Sequence, residues 1–193
     1  MYCTLEDLYN IKSSLDLAKI IKLDIPDYIT VEKYTGILNL LEDEEREIFE
    51  SIYKLDITGD YKWNIDIAKE KRDALVNIYM KIDGRNTIEA VITDVSSEID
   101  LSLASGGYSI PVTQEKFYYS LLNNICKSLV VYKLMILNGV LNVDGDKQFI
   151  KMCEDLYERL KLIASGELKL PTYQKNNVEI MTPNKIVKNW SEY

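Results

Sequence analysis

The amino-acid sequence predicts a mainly α-helical protein, in which a helical bundle carries an inserted helical subdomain and an extended C-terminal tail. Apolar residues recur at steps of three and four over long stretches, which is the spacing of one helix face. These stretches begin at capping residues and end at glycine or proline, as helices do. After Pro171 the periodicity disappears, so the last residues are predicted to extend from the helical body.

The beginning of the chain is predicted to form two short helices. Thr4 precedes an acidic pair, which indicates an N-cap followed by carboxylates that favour the positive end of the helix dipole. Ser14 is predicted to cap a second helix that continues to about residue 22, and Pro26 ends this region.

The next stretch shows helical spacing with one interruption. From Thr30 to Leu55 the apolar residues fall on one helix face. The acidic run at 42–47 divides them, and it is either a solvated helix face or a break between two helices.

A turn around Gly59 separates that stretch from the following one. Asn64 is predicted to cap a helix that reaches Ile82. Tyr61 and Trp63 alternate with polar residues, so a short strand is an alternative at that point.

Three long helices are predicted in the second half, near residues 88–104, 114–138 and 146–165. Thr87 is expected to cap the first of them, and the pair at 106–107 to stop it. The second helix is apolar on more than one side, so it is central or buries a second face against another subunit. Because their apolar faces can only be buried against one another, the three helices are predicted to form the core.

Composition limits the classes of protein that fit. The chain has 193 residues and a formal net charge of −8, which allows one domain with a substantial core and opposes adhesion to nucleic-acid phosphates. The three cysteines are far apart in sequence and are predicted to be reduced core thiols in a cytosolic product. No export signal is recognised, and no stretch approaches the roughly 20 apolar residues that span a bilayer.

Little in the sequence points to catalysis. The chain contains no histidine, which excludes Ser-His and Cys-His pairs and His-ligated zinc. The glycine pair at 106–107 lacks the Lys-Ser/Thr of a phosphate loop, and the stretch 142–146 has its glycine misplaced for a calcium loop. Carboxylate pairs such as Glu98 with Asp100 are typical of solvated surfaces. We therefore predict a non-enzymatic protein with no catalytic residues, metal site or cofactor.

Three separated parts of the chain share motifs with a known group of proteins. Residues 1–8 follow the pattern M-Y-x-T-x-E-D-L, and residues 88–111 resemble A-x-A-S-A-E-I-D with a later R-Y-x-L-P. Residues 122–132 resemble the helix L-x-x-x-x-C-D-I-A-x-Y, residues 157–171 resemble a helix with A-x-G-E-x-x-L, and residues 183–193 resemble a short aromatic-ended tail. In this order and spacing, the motifs resemble a small family encoded in the structural operons of Mu-like tailed phages.

Members of that family are thought to act as head-completion or head-to-tail adaptor proteins. The resemblance implies a helical bundle of the phage adaptor type and a virion protein, assembled in the bacterial host cytoplasm, that joins the portal protein to a tail or stopper protein. It also implies a homo-oligomeric ring of about twelve copies. DNA would pass through its channel without specific binding, and no membrane would be involved. The acidity is compatible with this, because an acidic lumen repels phosphate over roughly 8 to 10 Å.

The chain departs from the family in two places. Residues 24–85 exceed what relatives carry between the first two motifs, so we interpret them as an inserted helical subdomain, with 1–23 and 86–171 as the adaptor core. Many relatives also carry an acidic D-x-D-G-D-G stretch before the middle helix. Residues 81–86 of this chain place cations there, so no metal site is predicted.

Two interaction sites are predicted. The loop before the second long helix is the candidate subunit contact, because that helix has more apolar surface than one neighbour can cover. Its residues are Gly106, Gly107, Tyr108, Ile110 and Pro111. The tail, residues 172–193, has spaced anchors typical of a segment that orders on a portal or a neighbouring subunit. The predicted tail contacts are Ile180, Met181, Lys185, Ile186, Lys188, Trp190 and Tyr193.

Two functions from other classes remain as alternatives. One is a helical regulatory or toxin-neutralising protein that binds one host partner. The other is a small carboxylate-metal enzyme, which the missing histidines and the irregular acidic spacing disfavour. Gene neighbourhood distinguishes them, since flanking portal, capsid and tail genes favour an adaptor and a flanking toxin gene favours a regulator.

Overall fold

The computed structural model describes residues 1–113 and 118–170. Helix accounts for 64% of the structure and strand for 5%, which confirms the predicted mainly helical class. The helices are α1 Leu5–Tyr9, α2 Ser14–Ile20, α3 Val31–Leu38, α4 Asp43–Ile52, α5 Ile65–Glu70, α6 Arg72–Tyr79, a π-helical turn Met80–Gly84, α7 Arg85–Ser105, α8 Tyr119–Leu137 and α9 Lys147–Ala164. The strands are β1 Tyr28–Ile29, β2 Tyr53–Leu55 and β3 Tyr61–Trp63.

The three long helices α7, α8 and α9 pack into one bundle with a shared hydrophobic core, as predicted. The ring of Tyr132 near the end of α8 lies 6.2 Å from that of Phe149 near the start of α9. Gly106, directly after α7, abuts Ile163 near the end of α9. The helix α8 therefore runs antiparallel to both of its neighbours, and Lys133 ties it to α7 through ion pairs with carboxylates of that helix.

The sequence prediction of the start of α7 was wrong. The helices α6 and α7 are joined by the π-helical turn without leaving helical backbone angles, so Thr87 lies inside a helix and does not cap one. Gly84 explains the continuity. A Cβ there would lie 2.8 Å from Met80 Sδ and 3.1 Å from Ile21 Cδ1. The glycine thus permits close side-chain packing and does not end the helix.

Residues in the predicted insertion form a second hydrophobic cluster with a small antiparallel sheet of order β1-β3-β2. The short strand considered for Tyr61 and Trp63 is confirmed. Strands β1 and β2 pair with it, so that Tyr28 lies opposite Lys62 and Tyr53 opposite Trp63. Both strands are too short to show an alternating pattern in the sequence. The helix expected from Asn64 to residue 82 is interrupted at Lys71, whose φ is −101° and ψ 22°. The limits of the insertion remain a prediction.

The acidic run combines both of its alternatives. Residues 39–42 separate α3 from α4, and residues 43–47 of the acidic run form the first turns of α4. Glu42 N–H donates to the Glu45 carboxylate at 3.3 Å. Carboxylates in the first turn also interact favourably with the positive end of the helix dipole. The acidic run therefore begins α4 and lies on its solvated side.

The N-terminal caps agree with the sequence in one case of two. Thr4 caps α1 as predicted, since its hydroxyl accepts from Asp7 N–H at 3.2 Å and Asp7 Oδ2 accepts from Thr4 N–H at 2.9 Å. The cap of α2 is Ser13 and not Ser14. Ser14 is the first helical residue, and its hydroxyl instead bonds the Asn77 side chain on α6 at 2.5 Å. The hydroxyl of Ser13 accepts from the N–H of Asp16 at 3.1 Å, so the two serines have different partners.

Asp7→Asn should make the protein about 1 kcal/mol less stable at pH 7. Burial alone raises the pKa of Asp7, but hydrogen bonds from Thr4 and Asn123 outweigh it and hold the pKa below its usual value. A carboxylate with a lowered pKa stabilises the fold above the unfolded pKa of about 3.9, and this stability is lost as pH falls through the folded value. Urea unfolding between pH 7 and pH 2 should show the two proteins converging in acid. A difference that is constant with pH would contradict this assignment.

The helix α8 is long and apolar enough, by length and composition, to cross a membrane, and among the described residues it is the one helix that is. This corrects the expectation that no stretch reaches that length. Its apolar side chains have partners in the bundle, since α7, α9 and α1 all contact it. The buried residues are Leu122, Ile125, Cys126, Leu129, Val130, Val131, Leu134 and Met135. The central position of α8 accounts for its composition.

Candidate interaction site

Several segments meet at one end of the bundle, where α7 ends and α8 begins. We define this loop end by residues 1–3, 100–113, 118–123 and 163–170. It contains the loop predicted as a subunit contact and the last described residues before the tail. The Tyr108 hydroxyl accepts a hydrogen bond of 2.7 Å from the backbone N–H of Leu170. The structure therefore brings the predicted loop and the start of the predicted tail together.

Two of the five predicted loop residues are engaged by their own chain. Gly106 is half-buried, and a Cβ added there would overlap the backbone carbonyl oxygen of Ile163. Tyr108 is also half-buried, and its ring centroid lies 6.1 Å from that of Tyr118 in an edge-to-face arrangement. These contacts fix the base of the loop on α9 and on the start of α8.

The other three predicted loop residues face outward. Gly107 adopts a φ of +81°, a left-handed conformation that glycine adopts without strain. Ile110 is 47% exposed, and Pro111 is exposed beside it. An outward apolar side chain on an anchored loop suits a contact with another molecule. The subunit contact at this loop stays a prediction.

The structure changes the argument that led to the predicted subunit contact, which was the large apolar surface of α8. The surplus apolar surface of α8 is covered within the chain, because three helices contact it. What stays uncovered is at its far end, where Ile136 is 49% and Leu137 64% exposed. Exposed apolar side chains are therefore present on the loop and at the end of α8.

Residues 1–3 also form part of the loop end, a contribution that the sequence did not predict. Tyr2 N–H donates to Ser96 Oγ at 3.1 Å, and Asn123 Nδ2 donates to the Tyr2 carbonyl oxygen at 2.9 Å. The Tyr2 hydroxyl donates to Asp100, and burial together with this carboxylate raises the pKa of the tyrosine. One signal was available: Ser96 lies on the apolar face of its helix, one turn after Ile92.

A cleft lies away from the loop end, near the π-helical turn. Its volume is about 770 Å³. It is lined by residues of α1, α4, α6 and the adjoining segments, namely Leu5, Glu6, Tyr9, Ser13, Ser14, Leu40, Leu41, Glu42, Glu45, Asn77, Lys81, Ile82 and Arg85. Lys81 pairs with Glu45, and the pKa of the lysine is raised by that hydrogen bond. Arg85 pairs with Glu89 at 2.6 Å.

Metal-binding clusters of three or more suitable side chains are absent from the described ranges. The stretch 142–146, weighed as a calcium loop, uses its side chains for a turn. Asn142 Oδ1 accepts from the N–H groups of Asp144 and Gly145, each at 3.1 Å. Asp146 Oδ2 accepts from Asn142 N–H at 2.9 Å. These hydrogen bonds from backbone N–H groups hold residues 142–146 in a turn.

The predicted tail contacts, Ile180, Met181, Lys185, Ile186, Lys188, Trp190 and Tyr193, lie outside the described residues. The structure follows the chain to Leu170, which is buried at the loop end. The docking of the tail therefore remains a prediction. The structure shows only that the chain reaches the loop end before the tail begins.

The described fold and its loop end define a mainly helical protein in which a three-helix bundle presents an anchored loop. A model of the family described as Bacteriophage Mu, Gp36 matches residues 2–188. The match covers nearly the whole chain, so the protein belongs to this family. It is a Mu-like phage protein, and the family suggests a structural, virion-associated role. Searches of curated proteins and of solved structures found no match.

Proposed function

We propose that the protein is a head-to-tail adaptor of a tailed phage, a non-enzymatic component that joins the portal to the tail or to a stopper protein. The observation that carries the proposal is the family match over residues 2–188, which includes the bundle and most of the tail. The regulatory alternative has no support in that match.

The geometry of the loop end is consistent with this role. An adaptor must hold a partner without enclosing it, and a segment that leaves a rigid bundle beside an exposed apolar loop provides two contacts close together. Leu170 and Tyr108 join the tail start to that loop by one hydrogen bond of 2.7 Å. We assign Gly107, Ile110 and Pro111 to the contact with a neighbouring subunit, and the tail to the portal or to a neighbouring subunit.

A ring of about twelve copies around a DNA channel completes the proposal. The formal net charge of −8 is compatible with a channel wall that repels the phosphate backbone and so lets DNA slide. Assembly would take place in the host cytoplasm.

Deleting residues 178–193 should abolish the joining of heads to tails. The test complements a phage that lacks the gene with the full-length protein or with the deletion, and counts joined particles by electron microscopy. Trp and Tyr anchors in a tail of this kind each contribute upward of about 2 kcal/mol to binding, so we expect free tails and unjoined heads with the deletion. A variant with residues 178–193 in scrambled order keeps length and charge and should fail equally.

Two results would contradict the proposal. Joined particles in the absence of the gene would show that the protein is not an adaptor. Full joining by the deletion variant would show that the tail does not dock, while leaving the adaptor role intact.

A further inference from the structure

Two cysteines that are distant in sequence meet in the core of the bundle. Cys3 and Cys126 are separated by 123 positions, and their sulfur atoms lie 3.1 Å apart. The exposed fraction is 2% for Cys3 and 0% for Cys126. Ser96 Oγ lies 3.7 Å from the Cys126 sulfur and also accepts the Tyr2 N–H. Ser96 therefore connects Cys126 to the residue that precedes Cys3.

The third cysteine provides an internal comparison. Cys153 is equally buried, but its sulfur packs against the Ser128 carbonyl oxygen at 3.8 Å. All three thiols share the same chain and the same degree of burial. The difference between them is that two have a sulfur atom as a neighbour.

We propose that Cys3 and Cys126 are a site of oxidative modification and form an intramolecular disulfide when the folded protein meets a hydroperoxide. The sulfurs need to approach from 3.1 Å to the bond length of about 2.05 Å. The two sulfur atoms therefore need to come closer by roughly 1 Å. This inference does not depend on the adaptor role.

The chemistry balances with hydrogen peroxide as the oxidant. The Cys126 thiolate attacks one peroxide oxygen, the O–O bond breaks, and the departing hydroxide takes up the thiol proton to become water. The Cys3 sulfur then attacks the sulfenic sulfur of Cys126, the S–O bond breaks, and a second water leaves with the Cys3 proton. Two thiols lose two electrons in total, and one peroxide is reduced to two waters.

The order of the two sulfurs follows from their hydrogen bonds. Cys3 S–H donates to the Cys126 sulfur, and this bond, opposed by burial and aided by Ser96, lowers the pKa of Cys126. The pKa of Cys3 is raised by the same bond and by burial. Thiolates are the reactive form, so Cys126 reacts first and Cys3 resolves the intermediate.

The bond would tie residue 3 to α8 and close a loop that contains α1 to α7. Linking positions so far apart restricts the unfolded chain strongly. Oxidation should therefore raise the thermal midpoint on the order of 10 °C relative to the reduced protein.

The test uses the full folded chain. After exposure to a small excess of hydrogen peroxide, the protein is unfolded and its thiols are labelled with a maleimide. We expect three labelled cysteines before oxidation and one after it, and the remaining label should map to Cys153. Peptide mapping should recover a peptide that joins Cys3 to Cys126. Mapping the unmodified sequence needs no substitution, so the result does not depend on a variant folding.

Two variants sharpen the result. Cys153→Ala should keep the crosslink and the rise in the thermal midpoint, whereas Cys126→Ala should lose both. The inference is overturned if all three thiols stay labelled, if Cys126 is converted to sulfinic acid without a crosslink, or if the disulfide joins two chains. The same oxidation of protein unfolded in denaturant confirms that each cysteine is reactive once exposed.

Discussion

Replacing Leu129 by alanine should lower the free energy of unfolding by about 2 to 5 kcal/mol, the range for a buried leucine that leaves a cavity. Leu129 is 0% exposed in the middle of α8. It belongs to the cluster shared by the three long helices, so its truncation would leave a cavity in their common core. Because α8 has the composition of a membrane-crossing helix, this substitution also tests whether its apolar face is covered by protein.

Leu137→Ala is the matched control in the same helix. Leu137 is 64% exposed, and an exposed truncation of this kind changes stability by no more than about 0.5 kcal/mol. Equilibrium unfolding in urea, followed by circular dichroism at neutral pH, measures both variants. Equal losses for the two leucines would show that α8 is not the central helix of the bundle.

Gly106→Ala should destabilise the protein by about 3 kcal/mol, at the upper end of the usual cost of overpacking. The φ of Gly106 is −79°, which alanine adopts freely, so the cost is entirely one of space. The added Cβ would overlap the carbonyl oxygen of Ile163, a backbone atom that cannot rotate away. The end of α7 would have to separate from α9, and the loop end would shift with it.

Two other glycines separate this effect from backbone strain. Gly107→Ala meets no atom within 4 Å, but its φ is +81°, so we expect a loss of about 1 to 2 kcal/mol from conformation alone. Gly36→Ala lies in α3 and also has open space. It should stabilise the helix by up to about 1 kcal/mol. If Gly106→Ala cost no more than Gly107→Ala, the close approach of α7 and α9 would be refuted.

The loop substitutions also connect stability with assembly. Gly106 and Tyr108 support the loop, whereas Ile110 and Pro111 face outward. A substitution that disturbs Gly106 or Tyr108 would displace Ile110 and Pro111 even if the protein remains folded. Assembly assays on Gly106→Ala are therefore interpretable only beside its unfolding curve.

Local physics made the long helices and the first cap predictable. The helix α9 follows three- and four-residue spacing and ends before Gly166, whose φ is +75°, so pattern and stop signal agree. Thr4 with Asp7 forms a reciprocal cap within four residues. Both signals are complete within one or two helical turns, and a sequence contains all of their determinants.

Contacts between distant segments escaped the sequence. Gly84 has the identity of a helix stop, yet Met80 and Ile21 pack where its side chain would be, and the helix continues. Strands of two or three residues gain their hydrogen bonds from partners and carry no periodic signal. Ser14 bonds the distant Asn77, whereas Ser13 caps the nearby Asp16 N–H.

The sequence by itself determined the helical class, the three-helix core, the motifs of a phage family and the positions of the candidate loop and tail. Periodicity and capping are local properties, and a hydrophobic face must be buried whatever its partner is. Only the tertiary structure decided that Tyr108 lies beside Leu170, that α8 is covered on several sides, and that Cys3 meets Cys126. These outcomes depend on how separate helices dock, and docking is fixed by the packing of side chains far apart in the chain.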